Sequence, residues 1–403
     1  MRQLLFILVS YLAISNITAQ QLDSTWTFNG NNGYSNSATR LLNTNGNLVI
    51  GGYAEGHYNQ PFSGNKRYNG SLDVHRVVML LGYNFSSKTQ FISEIEYEHV
   101  EELYVEQAFI QHKLNPYMNF RAGLMLIPMG IINEYHEPTT FNGVERPIID
   151  GKVAPTTWRE MGFGFSGAIT SLNLKYQAYL VNGFNGYDGA NLILNGKDGF
   201  RKGRQQAAES YISAPNYTAK IEYYGIRGLN LGLSGYFGNS QSKMFNGIDK
   251  SNVAANKSAD STTIGIAMLG LDARYRLKGL QLRGQLYYSS ISNTEQYNSF
   301  KGKKNDLGSA MLGYYAEAGY NVFQGIRSIK TELVPFVRYE MYDTHYATSG
   351  GLAKNLAYNN NIITSGITYK LTNGAVLKAD VQFIKPANGS YTQTFNAGIG
   401  VTF

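Results

Sequence analysis

The sequence predicts an all-β fold, a 16-stranded antiparallel transmembrane β-barrel, and three observations carry that prediction. From Leu48 onward, segments of about ten residues alternate apolar and polar side chains with a period of two. The connectors between them alternate short and long. The chain closes its last such segment on an aromatic residue, Phe403. A length of 403 residues would suggest two or three domains, but no composition break divides the chain. Mean hydropathy is −0.27 and the one continuous apolar run sits at the extreme N-terminus, so no later run of about 20 residues can cross a bilayer as a helix. A membrane form must then be a closed barrel, which pairs every backbone group without water.

Taken in order, residues 1–19 read as a secretory signal peptide: Arg2, an apolar stretch over 4–14, then 16–19 with cleavage expected between Ala19 and Gln20. The chain has no Cys, which excludes a lipid anchor on an N-terminal Cys and a disulfide framework. Residues 20–47 are rich in Asn, Ser, Thr and Gly and read as a loosely ordered periplasmic lead-in. The barrel is expected over 48–403, with strands at 48–58, 72–85, 90–99, 103–114, 119–130, 157–167, 171–182, 215–224, 229–238, 263–277, 280–290, 311–323, 328–342, 361–371, 375–383 and 394–403.

The last two strands are the clearest. Phe395, Ala397, Ile399, Val401 and Phe403 share one face against Asn396, Gly398 and Gly400; Leu377, Ala379 and Val381 oppose Lys378, Asp380 and Gln382. Thr372, Asn373 and Gly374 supply the tight turn between neighbours. Connectors 86–89, 115–118, 168–170, 225–228, 278–279 and 324–327 are short and belong with both termini at the periplasmic end. Those at 131–156, 183–214, 239–262, 291–310 and 343–360 are long and face outward. A soluble β-sandwich or propeller does not explain that alternation. One strand resists assignment: in 72–85, Val77, Met79 and Leu81 oppose Val78 and Leu80, leaving the inner face open and offering a place for an inserted loop to pack.

Aromatic residues make up 13%, with 31 Tyr and 20 Phe against 2 Trp, which suits interfacial girdles. The net charge of +7 is too dispersed for nucleic acid and favours anionic solutes or lipopolysaccharide phosphates. Stretch 121–162, RAGLMLIPMGIINEYHEPTTFNGVERPIIDGKVAPTTWREMG, reads as two strands flanking a long connector over 131–156, expected to fold into the barrel mouth as a constriction loop.

Candidate pore-lining or constriction residues follow from the alternation. Glu94, Glu96 and Glu98 share one strand face; Arg274 and Arg276 meet Arg283 across a tight turn; Arg121 and Arg338 lie on other strands; Glu134, Glu145, Arg146 and Arg159 belong to the loop or its exit. Opposed acidic and basic patches would orient polar solutes; the plainer reading is that these charges pair and hydrate the lumen. Lys197, Arg201, Lys202, Arg204, Lys301, Lys303 and Lys304 in external loops would funnel anions or meet lipopolysaccharide. His75 and His99 fall near the outer ends of neighbouring strands, where a metal would need Glu101 or Glu102 as third ligand; on the sequence they read as surface histidines, and no metal or cofactor is assigned. No Ser-centred nucleophile motif, glycine-rich phosphate loop or Cys pair points to an enzyme.

Gly123, Pro128 and Gly130, then Glu145 and Arg146, then Pro155, Trp158, Arg159, Glu160 and Gly162 resemble the corresponding region of the phosphate-selective porin O and P family. The motif covers about a tenth of the chain, and the strand count and terminal Phe403 extend the likeness. The resemblance implies a homotrimeric 16-stranded porin of the Gram-negative outer membrane, passing small hydrophilic solutes by diffusion through a loop-narrowed pore, with anion or phosphate preference in the type members. Those members crowd the pore with basic residues, whereas this loop carries Glu134, Glu137, Glu145 and Asp150 against Arg146 and Lys152. The competing reading is a barrel for surface recognition or adhesion, with conduction incidental.

Overall fold

The computed structural model describes residues 46–403; the signal peptide expected over 1–19 and the lead-in up to residue 45 lie outside the described residues. Eighteen strands follow: β1 (Leu48–Phe62), β2 (Ser71–Asn84), β3 (Thr89–Glu98), β4 (Glu102–Asn115), β5 (Met118–Leu126), β6 (Arg159–Ile169), β7 (Leu174–Val181), β8 (Asn185–Tyr187), β9 (Asn216–Tyr223), β10 (Leu229–Asn239), β11 (Gln241–Ser242), β12 (Gly265–Leu277), β13 (Leu280–Ser292), β14 (Ala310–Tyr320), β15 (Glu332–Ala347), β16 (Asn359–Thr372), β17 (Ala375–Pro386) and β18 (Thr392–Thr402). Sixteen of them form one closed antiparallel barrel. β1 seals it against β18, with Tyr53 opposite Thr402, while β8 and β11 pair in parallel among the long connectors.

The strand pattern has a direct physical cause. Leu377, Phe395, Ile399, Val401 and Phe403 are exposed on the outer wall, whereas Lys378, Asp380, Gln382 and Asn396 are buried inside. Apolar groups face outward and charges inward, the reverse of a soluble core, as a lipid-facing wall requires. Several expected boundaries shift. β5 stops at Leu126 rather than 130, because Pro128 has no N–H to continue the ladder after Ile127 donates to the Trp158 carbonyl at 3.0 Å. β15 starts at Glu332 rather than 328 and runs to Ala347. Asn173 is in a left-handed turn (φ 53°) closing Thr170–Leu172, and so is not a wall residue.

The ambiguous strand is resolved by a bulge. Glu55 pairs with Arg76 but Gly56 pairs with Val74, so His75 is an extra residue in β2. The phase flips there: Arg76, Val78 and Leu80 point inward while Val77 and Met79 stay exposed. Val78 and Leu80 need no water because connector 127–158 fills the lumen beside them. Leu80, Ile92 and Phe109 share one apolar cluster with Ile127, Met129, Ile149, Val153 and Trp158 of that connector.

The inner face of β18 makes room for the same connector. A Cβ added at Gly400 would lie 2.5 Å from Cβ of Pro138, and one at Gly398 would lie 2.9 Å from Cγ1 of Val144. Gly400→Leu should therefore push the connector off the wall and destabilise the barrel by about 1–3 kcal/mol. Urea unfolding and limited proteolysis of residues 134–152 check this, and an unchanged midpoint with a protected loop would refute the packing.

Candidate functional site

Connector 127–158 enters the barrel from the long-connector end and is tied to the wall around much of its circumference. Its base is latched first: Asn133 Nδ2 donates to the carbonyls of Ile127 (2.7 Å) and Trp158 (2.8 Å), and Trp158 N donates back to Asn133 Oδ1 (2.7 Å). Lys220 on β9 then donates to the Gly130 carbonyl at 2.6 Å and pairs with Glu134 at 2.7 Å, while Gln177 donates to the same carboxylate.

The far side is held by backbone groups as much as by charges. Both terminal nitrogens of Arg283 donate to the Thr140 carbonyl at 3.1 Å. Arg338 donates to the carbonyls of Asn142 (3.3 Å) and Glu145 (3.2 Å). Val144 N donates to Asp380 at 2.7 Å and Ile148 N to Glu340 at 2.6 Å. These wall side chains satisfy loop backbone that water cannot reach, which is what buried irregular structure demands.

Each candidate charge has a place in this network. Glu94, expected to face solute, lies 3.4 Å from His136 and accepts from Tyr53 and Gln107; Glu96 pairs with Arg76 at 3.0 Å. Glu98 is half-buried and lines the outer cavity; opposite Leu80, Val78 and Arg76, the three carboxylates share the inner face of β3, with Glu94 and Glu96 engaged by partners. Glu145 pairs with His57 at 3.2 Å, and Arg146 donates to the His136 carbonyl at 2.8 Å. Arg159 lies over the Tyr104 ring and 3.8 Å from Glu106. Arg121 donates to Gln111 and Tyr179 on the wall. Arg338, fully buried, also pairs with Glu340 (2.8 Å) and Glu317 (3.4 Å).

Arg274, Arg276 and Arg283 do come together, around a small cavity of about 50 Å³ beneath the connector, joined by Lys370. Their partners are Glu222 (2.8 Å), Glu332 (2.6 Å) and Glu317 (3.1 Å), and Arg274 stacks over Tyr135 at 4.1 Å. Above the connector, at the long-connector end, lies a larger cavity of about 400 Å³. Arg201 and Arg204, expected as external funnel residues, instead reach down to it and donate to the carbonyls of Thr156 (2.8 Å) and Thr157 (3.1 Å).

Two functional residues escape sequence reasoning. Glu106 is the extra residue of a second bulge, since Glu94 pairs with Gln107 but Ile95 with Val105; period-two counting therefore assigns it no face. His136 lies 3.3 Å from Glu106 across the lumen, a pairing no local pattern announces.

The connector's own titrating groups are tuned by this burial. Burial works against a charge on His136, but Glu106 and Glu94 outweigh it and raise its pKa from 6.5 to about 10. Glu145 is likewise opposed by burial and held down to about 2 by His57 and Asn59. Burial pushes Asp150 up to about 7 despite donation from Tyr287 and Gln285. A raised histidine pKa stabilises the folded state fully below 6.5 and loses that contribution as pH climbs through about 10; Asp150, raised from 3.8 to about 7, costs stability progressively between those two values and adds no further pH dependence above them. Protease sensitivity of the loop should rise between pH 7 and 10 in the wild type and change less in His136→Asn. A flat wild-type profile would contradict the assignment.

No family model matches the chain. An uncharacterized protein of Aquifex aeolicus (strain VF5) is 30% identical over 361 residues, 85% of this chain and 77% of that one. Among solved structures, Salmonella typhi OmpF in complex with daunomycin superposes with a TM-score of 0.56 at 13% identity, over 88% of this chain and 97% of that chain. The anion-selective porin from Comamonas acidovorans gives 0.55 at 11% identity, over 88% and 99%. OmpTdeltaL8, a loop L8 deletion mutant of an outer membrane protein of Vibrio cholerae, gives 0.53 at 11% identity, over 89% and 100%. The chain therefore belongs to the same family as the Aquifex aeolicus protein, and its closed 16-strand barrel is the fold of the outer-membrane porins.

Proposed function

We propose that the protein is an outer-membrane channel for passive diffusion of small hydrophilic solutes, with connector 127–158 as its constriction and a preference for anions. The observation that carries this reading is the excess of cationic groups on both faces of the connector. The lower cavity is lined by Arg274, Arg276, Arg283 and Lys370, while the carboxylates that pair with the arginines, Glu222, Glu332 and Glu317, stand outside its lining. On the upper face, Lys152, Arg201 and Arg204 donate to backbone carbonyls rather than to carboxylates. Such groups keep a net positive field toward the solute path, which raises local anion concentration and lowers that of cations.

Selection is by sign and size rather than by a dedicated phosphate trap. Glu134, Glu145 and Asp150 interrupt any continuous run of basic residues through the connector. Homotrimeric assembly is part of the proposal, supported by the barrel fold alone. Lys301, Lys303 and Lys304 at the long-connector end would meet lipopolysaccharide phosphates.

Planar-bilayer recording of the purified chain tests the reading. In a KCl gradient the reversal potential should fall on the chloride side, and millimolar phosphate should reduce chloride current only modestly. A potential on the cation side would overturn anion preference. Absence of any channel conductance would overturn the channel itself and leave surface recognition as the alternative.

A further inference from the structure

Asp73, His75 and His99 form a cluster at the rim of the upper cavity that the channel reading does not use. We infer that these three side chains bind a divalent transition-metal ion of the Zn²⁺ class. Two features of the backbone bring them together. Strand alternation puts Asp73 and His75 on the same side of β2, and the bulge at His75 brings Arg76 to that side as well. The β3–β4 connection then folds His99 back over them: His99 and Val100 both take left-handed φ values, 52° and 63°, and Glu101 N donates to the Glu98 carbonyl at 3.1 Å. A turn with two successive positive φ values ordinarily takes Asn and Gly, so a His and a β-branched Val here hold a costly conformation.

The side-chain geometry points to a ligand set. His75 Nδ1 and His99 Nδ1 lie 3.1 and 2.7 Å from the same oxygen, Asp73 Oδ2. The ligand atoms of all three residues lie within 4.8 Å of one another. In a tetrahedral site with bonds of about 2.0–2.1 Å, ligand atoms stand about 3.4 Å apart, so Asp73 Oδ2 needs to draw back by about 0.3 Å from His75 and about 0.7 Å from His99. Two imidazoles and one carboxylate match the preference of borderline divalent ions, and three protein ligands leave a fourth position for water or an anion.

Neighbouring groups are committed elsewhere. The His57 ring stacks on His75 at 4.6 Å, but its two nitrogens face Glu145 and Glu55. Arg76, the adjacent cation, is neutralised by Glu55 at 2.6 Å and Glu96 at 3.0 Å. Glu101 and Glu102, the third ligands the sequence suggested, are not in the cluster; Asp73 takes that place. The fully buried set Glu94, Glu106 and His136 has ligand atoms equally close, but it is closed to the cavity and serves as an ion-pair tether.

The test uses the full folded chain in detergent and makes no use of conductance. Co²⁺ titration followed by its visible absorption, then Zn²⁺ competition against a chromogenic chelator, should show one site in the wild type. His99→Ala and His75→Ala should each weaken Zn²⁺ binding more than about tenfold. His112→Ala, at the opposite end of the barrel, should leave it unchanged, and circular dichroism reports whether each variant keeps its strands. Should no site tighter than millimolar be found, or should binding survive His99→Ala in a folded variant, the assignment is wrong. Either result is independent of whether the barrel conducts.

Discussion

Deleting residues 134–152 is expected to raise single-channel conductance several-fold. The deletion spares the part of the connector that closes on itself: Ile127 pairs with Trp158, and Asn133 latches both, so the stubs already form a hairpin base. The sixteen-strand ladder does not depend on the removed residues for its backbone hydrogen bonds. What disappears is the segment carrying Glu134, Tyr135, His136, Phe141, Glu145 and Asp150 between the two cavities. Water then fills the lumen, and Lys220, Arg283 and Arg338 exchange loop partners for solvent and wall carboxylates. Planar-bilayer recordings decide the matter, and conductance equal to that of the wild type would show that the segment does not limit ion flow.

Arg338→Met is expected to be the most damaging single substitution. This side chain is 0% exposed and serves Glu317, Glu340 and two loop carbonyls at once. Its loss leaves two buried carboxylates short of a partner and two carbonyls without a donor, a cost of about 3–5 kcal/mol. Residues 141–146 should become protease-sensitive as the loop lifts from β15. Adding Glu340→Gln to Arg338→Met should recover part of the loss, because the uncompensated buried charge causes much of it. A single-variant cost below about 1 kcal/mol would mean that the cluster contributes little to holding the loop.

The two expectations differ in how much of them can be read from the chain. Sixteen strands are legible because a wall between lipid and charged interior imposes a period of two at every turn, and Leu377 against Lys378 is enough to orient a strand. Bulges break that legibility. His75 and Glu106 each shift the phase by one residue, and the groups they re-aim, Arg76 and Glu106 itself, are among the most committed charges in the lumen. The basic residues Arg274, Arg276 and Arg283 were readable as neighbours since a tight turn joins their strands, but their carboxylate partners were not.

By itself, then, the sequence determines the barrel, its sixteen strands, the inward direction of most charges and the third long-end connector as the inserted one. Only the tertiary structure decides what the inserted segment touches. His136 meets Glu94 across 42 positions and Val144 meets Asp380 across 236, because a closed sheet brings distant strands to face a common lumen. Alternation along a strand reports which side a residue faces; it carries no information on which residue stands opposite once the sheet has closed.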